Sequence, residues 1–238
     1  TDQWITASSI FDALVSMATF RLNEDKAQQA TIVNSNKVSY KARNIYHPFL
    51  GEKAIRNNFD IQNHEYYIIT GANMAGKSTF LRTLGVNYIL AMNGLPVFAE
   101  EMCVSVFRLF TNMRTTDDLT HGISYFNAEL LRLKQLIASL DPNVPSLIIL
   151  DEILKGTNSL DKLNGSRLFL EYISKRNVTG VIATHDLELS KLEDENPQRF
   201  HNYSFEIELG TNVTYTYKIG RGVAKNQNAT FLLKQILA

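Results

Sequence analysis

The run Gly71-Ala72-Asn73-Met74-Ala75-Gly76-Lys77-Ser78 spaces its glycines, lysine and hydroxyl as a phosphate-cradling P-loop does, with Thr79 continuing it. Glycine lets backbone come close to an anion. Successive backbone N–H groups and the positive start of a helix can surround a β-phosphate, while Lys77 supplies a mobile charge and Ser78 a hydroxyl for Mg²⁺. Downstream, the apolar run Leu147-Ile148-Ile149-Leu150 ends in Asp151-Glu152, so a strand tip would carry two carboxylates to the sheet edge beside that loop. Asp151 would hold Mg²⁺ through water together with Ser78, and Glu152 would orient or deprotonate an attacking water. Phosphoryl transfer asks mainly for such positioning and charge neutralisation. The plain alternative, an exposed acidic loop, loses weight because a P-loop lies upstream. A third tip, Ile182-Ala183-Thr184, delivers His185, placed to bond a terminal phosphate or the water. His47, His64, His121 and His201 are assigned to packing, turns or surface. No Cys/His spacing suits zinc, and no Ser or Cys nucleophile stands out.

The elements that must hold these residues are readable in outline. Tyr66-Tyr67-Ile68-Ile69 is an apolar strand entering the loop, and Leu81, Leu84, Tyr88 and Met92 repeat at helical spacing after it. Phe126, Leu130, Leu133, Ile137 and Leu140 mark a second helix that stops before Asp141-Pro142. A helix is expected after Asp161, and Val178 to Ala183 reads as the next buried strand. Residues apolar on both faces suit a central parallel strand covered on each side. Ahead of the loop, Thr31 to Ile69 breaks into short apolar pieces, a β-rich lead-in. Near the end, Tyr203, Phe205, Ile207 and Leu209 alternate, then a Gly210-Thr211-Asn212 turn, then Val213, Tyr215, Tyr217 and Ile219, which predicts an antiparallel hairpin. Ser8 or Ser9 can cap a helix to about Asn23 whose Ile10, Leu14 and Met17 must pack on something, and Asn228 to Leu237 closes with an apolar helix. The fold class is α/β, a largely parallel sheet flanked by helices with an antiparallel β-rich part.

The chain has 238 residues, 45% hydrophobic and 20% charged, enough for one large domain or a domain plus a fragment. Lys plus Arg equals Asp plus Glu at 24 each, so the summed charge carries no basic footprint of the kind long DNA contacts need. A lone cysteine, Cys103, is read as a small buried apolar residue in a reducing cytoplasm. No long apolar run or leader is read, and no membrane contact is expected. A start at Thr1 without Met reads like a piece of something longer.

Thr70 to Thr79, with its Asn73-Met74 pair, resembles the extended P-loop of the MutS mismatch-repair family. Asp117-Asp118-Leu119, Gly122, Ser124, Phe126 and Glu129 resemble the family's signature segment. Leu150-Asp151-Glu152-Ile153 with Gly156-Thr157 and Asp161 resembles its Walker B and D-loop run, and Ala183-Thr184-His185 with Glu188-Leu189 comes next in order. His47-Pro48 and Gly222-Val223-Ala224 extend the likeness over nearly the whole chain. The resemblance implies a P-loop NTPase of ABC-ATPase type: residues 1–28 end a helical lever domain and 29–238 form the ATPase domain. It implies ATP or ADP and Mg²⁺ as ligands, with Asn73, Lys77 and Ser78 on nucleotide and metal and Asp151 on metal. Glu152 becomes the catalytic acid and His185 the γ-phosphate sensor. It further implies a homodimer through the nucleotide face, with Ser124 reaching the partner's nucleotide in trans; the lesser alternative is that Ser124 caps the helix at Phe126. DNA would be handled by regions of a longer protein absent here. The sequence departs from the family at Ala72 and Ala75, where Pro and Gly are usual, and at Leu154-Lys155, where Gly-Arg is usual. Ala75 can still cradle phosphate if its φ is negative, and Ala54 stands about where an adenine-stacking aromatic is expected. Two other readings stay open: a nucleotide-gated module that binds without turnover, motivated by Ala75 and Lys155, and an ATPase of transporter or chromosome-maintenance type.

Overall fold

The structure, a computed structural model, describes residues 2–24, 28–113, 125–155, 157–209 and 213–225. Two sheets carry it. The larger has six strands in the order β10-β9-β4-β8-β7-β6, where β4 is Tyr66–Gly71, β6 Arg108–Asn112, β7 Ser146–Asp151, β8 Val178–Ala183, β9 Phe200–Leu209 and β10 Val213–Arg221. All its neighbours run parallel except the β9–β10 hairpin. The smaller sheet, in the order β1-β5-β2-β3, comprises β1 Thr31–Val33, β2 Ser39–Ile45, β3 Asn57–Gln62 and β5 Glu101–Ser105. Helix α1 is Asp2–Asn23, α2 Lys77–Met92, α3 Tyr125–Ser139, α4 Ser159–Ile173 and α5 Leu192–Glu195.

Side-chain alternation splits the core in two. Tyr67 and Ile69 of β4, Leu147 and Ile149 of β7, and Val181 and Ala183 of β8 face α2 and the smaller sheet. Their alternate neighbours Tyr66, Ile68, Ile148, Leu150 and Ile182 face Leu133 and Leu136 of α3 and Phe169, Leu170 and Ile173 of α4. A parallel strand buried on both faces must be apolar throughout, which is why these strands show as apolar runs in the sequence. The β-rich lead-in and the hairpin also stand as expected.

Several expectations are corrected. Helix α1 begins at Asp2 rather than at a Ser8 or Ser9 cap, because the Ser9 hydroxyl donates back to the Ile5 carbonyl at 2.9 Å and so serves the helix interior. Its apolar residues do not pack inward: Trp4 is 82% exposed and Ile10 and Leu14 are also exposed, although Phe20 meets the Phe98 ring. At 22 residues α1 is, among the described residues, the one helix long and apolar enough by length and composition to cross a membrane, although Asp12, Ser16 and Thr19 interrupt its apolar residues. On α3 Phe126, Leu133, Ile137 and Leu140 pack on the core as expected, but Leu130 is exposed, and Leu136 and Glu129 are buried beside that stripe, Glu129 bonding a loop. Helix α4 starts before Asp161, capped by Asn158, whose side chain accepts from the Asp161 N–H. Cys103 is half-buried rather than buried. The Gly210-Thr211-Asn212 turn and the helix expected over Asn228 to Leu237 lie outside the described residues.

Gly180 sits on β8 between β4 and β7, opposite Tyr66 and Ile148. A methyl there would lie 2.6 Å from Tyr66 Cδ1 and 3.0 Å from Ile182 Cδ1. The Tyr66 ring cannot swing aside freely, since its hydroxyl donates to the Val178 carbonyl at 2.9 Å. Gly180→Ala should therefore destabilise the domain by about 1–3 kcal/mol through overpacking; an unchanged denaturant midpoint and slope would refute that account.

Candidate functional site

Three adjacent parallel strands end in register: Ile69 of β4 pairs with Ala183 of β8, which pairs with Asp151 of β7. The ladder runs one bond further, with the Thr184 N–H donating to Ile69 O at 3.0 Å and the Glu152 N–H to Ala183 O at 2.9 Å. The segment after each strand must then emerge along one edge. Those segments carry the Gly71–Ser78 loop, His185 and Glu152, so the structure brings together the candidates that the sequence places there.

The loop's backbone is built for close approach. Gly71 and Gly76 have φ of 152° and 109°. A Cβ at Gly71 would meet Phe205 O at 2.7 Å, and one at Gly76 would press on Tyr217 Cδ1 at 3.1 Å, so conformation disfavours a side chain at both and backbone blocks one at Gly71. Met74 takes the left-handed conformation at φ 65° with its side chain in solvent. Ala75 is not among the positive-φ residues and is buried, so its methyl is compatible with the turn. Helix α2 begins at Lys77 with Gly76 as its N-cap and no side chain capping its N-terminus, and a helix start without a side-chain cap leaves amides available to an anion.

Lys77 is 6% exposed, and its ammonium donates to Gly71 O at 2.7 Å and Ala72 O at 2.9 Å, 3.4 Å from His185 Nδ1. Burial pulls its pKa down to about 8, against the opposing pull of Asp151 and Glu152. His185 is also lowered, by burial first and then by the Lys77 charge, which keeps it neutral at pH 7 and able both to donate and to accept. Asp151 closes β7, nearly buried. The Glu152 carboxylate accepts from Lys162 Nζ at 2.6 Å through Oε1, with Lys155 Nζ 3.7 Å from Oε2. Burial alone would push its carboxyl up, but the Lys162 hydrogen bond and charge, with His185 and Lys155, outweigh that and hold it below the ordinary carboxylate range.

Beside the loop opens a cleft of about 510 Å³ lined by the largely polar run Asn73 to Thr79 with His185 and by the more apolar Tyr46, His47, Leu50, Ile55 and Tyr217, the last packed against Gly76. A lining that is polar in part and apolar and aromatic in part suits a ligand that joins charged groups to a flat ring. Sequence reasoning missed this apolar part of the lining. His47, assigned by sequence to packing, turn or surface, caps a 3₁₀ turn by accepting from the Phe49 N–H at 3.3 Å, and it also lines the cleft. Ala54 only ends that turn and is not in the lining. Tyr217 sits at φ 52° where the β9–β10 register shifts between Tyr215 and Ile219. Asn57 fills that irregularity, donating to Tyr217 O at 3.0 Å and accepting from the Ile219 N–H at 3.0 Å. His64 lies in a turn at φ 63°, and His201 is half-buried, 3.1 Å from Glu65. His121, Ser124 and the rest of Asp117 to Ser124 lie outside the described residues, as does Gly156.

With this geometry established, comparison with known proteins is decisive: the MutS domain V family matches residues 67–232. The chain belongs to that family. MutS domain V is matched here from the second residue of β4 to beyond β10, so the family match contains the loop, both carboxylates and His185. Relatives include the DNA mismatch repair protein MutS of Thermotoga sp. (strain RQ2), 36% identical over 172 residues covering 71% of this chain and 21% of that protein. MutS of Caldicellulosiruptor bescii is 32% identical over 231 residues, covering 91% and 26%, and that of Carboxydothermus hydrogenoformans 30% identical over 239 residues, covering 96% and 28%. This MutS domain V chain thus spans between 21% and 28% of the length of these relatives.

The lowered pKa of Lys77, about 8, has a measurable consequence. A polyphosphate anion beside the ammonium favours its charged form, so binding raises that pKa. Above about pH 8 the free lysine is partly deprotonated and binding must take up a proton; at about pH 7 both states are charged and no proton moves at this group. Calorimetry of nucleotide binding in buffers of different ionisation heat should show uptake at about pH 9 that exceeds uptake at about pH 7, with affinity falling over the same range. Equal uptake at both would refute the assignment.

Proposed function

We propose that this domain binds ATP with Mg²⁺ and hydrolyses it, as the P-loop ATPase module, of ABC-ATPase type, of a MutS-like protein that handles DNA in mismatch repair or a related task. The observation that carries the reading is the in-register ending of β4, β8 and β7, which sets Lys77, His185, Asp151 and Glu152 along one edge beside an uncapped helix N-terminus. The donor set fits a nucleotide with a hard divalent cation: backbone amides and an ammonium for phosphates, a hydroxyl and a carboxylate for Mg²⁺. Gly71, Ala72, Asn73, Met74, Ala75, Gly76 and Thr79 form the cradle, and Lys77 supplies the charge. Ser78 and Asp151 hold the metal, which supplies charge neutralisation at the phosphates. Glu152 orients or deprotonates water, and neutral His185 bonds the terminal phosphate or that water. Tyr217 and His47 take the base at the apolar part of the cleft lining. Residues 1–28 belong to a preceding helical part, 29–238 to the ATPase domain, and Ser124 completes a partner's site across a homodimer. DNA is bound by other parts of the parent protein, and the work is cytoplasmic.

A second reading, a nucleotide-gated module that binds without turnover, draws on the two lysines that hold Glu152, since a carboxylate bonded to cations is a weaker base. Turnover separates the two. ATP hydrolysis should rise in specific activity with protein concentration, Lys77→Ala should abolish binding, and Glu152→Gln should bind ATP while losing about 10²-fold or more of kcat. Binding without hydrolysis in the unaltered chain would favour the gated module, and normal turnover in Glu152→Gln would sink the catalytic assignment. Lys162→Met removes the strongest influence lowering the Glu152 pKa and leaves the burial that raises it. The carboxyl must then titrate higher, so the acid limb of the kcat–pH profile should move to higher pH; a limb that stays in place would show that Glu152 does not set it.

A further inference from the structure

The segment that carries Glu152 is bent in a way its side chains do not favour. Glu152 and Leu154 sit at φ 68° and 59°, a region that residues with a Cβ adopt only when their surroundings impose it. From the α4 side, Leu154 is buried in a notch at Gly165, where a Cβ would lie 2.4 Å from Leu154 Cδ1. From the α3 side comes Glu129, a carboxylate only 2% exposed. Its Oε1 accepts from the Leu154 N–H at 2.6 Å and its Oε2 from the Lys155 N–H at 2.9 Å. Burying a carboxylate is unfavourable unless both oxygens are well bonded, and here both are committed to the backbone of one loop. The same pair of bonds fixes the Lys155 residue, whose ammonium lies 3.7 Å from Glu152 Oε2.

We propose that Glu129 is a positioning residue for Glu152: from α3 it braces the left-handed 152–155 loop and so sets where the carboxylate of Glu152 points. The inference rests on the ATPase reading above and deepens it. Glu129 touches neither the Gly71–Ser78 loop nor the apolar part of the cleft lining in any bond described, so its effect falls on the chemical step and leaves nucleotide binding alone. In Glu129→Gln the amide oxygen can accept one N–H, but its NH₂ then faces the other, donor against donor.

The test is steady-state ATP hydrolysis and ATP binding by the full chain carrying Glu129→Gln, with circular dichroism to verify folding. The expected result is a kcat about 10-fold or more below the unaltered chain, because small displacements of reacting groups are costly in rate, with KM and ATP affinity unchanged. In the Glu152→Gln background the same substitution should cause no further loss. Glu129→Asp keeps the carboxylate but shortens its reach; it should lose less kcat, again with KM unchanged, and decides the matter if the Gln variant does not fold. A kcat at the unaltered level in the folded variant, a parallel loss of ATP affinity, or a further loss in the Glu152→Gln background overturns the positioning role while leaving the ATPase reading intact. Absence of hydrolysis in the unaltered chain, or full activity of Glu152→Gln alone, overturns that reading and this inference with it.

Discussion

The hydrogen-bonded ladder that joins Ile69, Ala183 and Asp151 across three parallel strands is the constraint on which the site depends. Parallel pairing makes all three strands leave the sheet in the same direction, and common register makes them leave at the same height. The residues just beyond the three tips cannot avoid one another. Burial on both faces then prevents slippage, because a shift by one residue would send each side chain to the opposite core. The small sheet and α2 on one side, and α3 and α4 on the other, serve mainly to make that register unique.

Electrostatics at this edge is a matter of burial against pairing. Lys77, desolvated and bonded to two carbonyls of its own loop, titrates lower than a free lysine, whereas Glu152, though half-buried, is kept ionised by Lys162 and Lys155. His185 between them stays neutral near pH 7 because both burial and the adjacent ammonium oppose its charging. A buried ammonium, an ionised carboxylate and a neutral imidazole therefore coexist along one sheet edge, an arrangement in which each group's protonation state is set by its surroundings.

Much of this is legible in the sequence because local chemistry and burial leave marks on composition. Strands covered on both faces are apolar runs, and Gly71 and Gly76 stand where positive φ disfavours any side chain. Asp151, Glu152 and His185 come directly after such runs. The features that escape such reading depend on partners remote in sequence. Tyr217 looks like one more alternating strand residue, and its turn toward the cleft comes from a register shift held by Asn57. Glu129 lies in an amphipathic helix where a carboxylate ordinarily faces water, and only the amides of Leu154 and Lys155 make its burial tolerable. The start of α1 is misleading because a serine hydroxyl can satisfy a carbonyl four residues back as easily as it can cap.

The wall of the cleft is closed by contacts of long sequence separation. Asn57 reaches Tyr217 across 160 positions, and the Ala224 N–H donates to the Thr70 hydroxyl across 154. Closing such loops is entropically slow, so these contacts belong among the later events of folding. During synthesis the Gly71–Ser78 loop emerges well before β10, whose Tyr217 lines the cleft beside it. A nascent chain therefore holds no finished cleft until β10 arrives, so the cleft cannot act as a template for the early stages of folding.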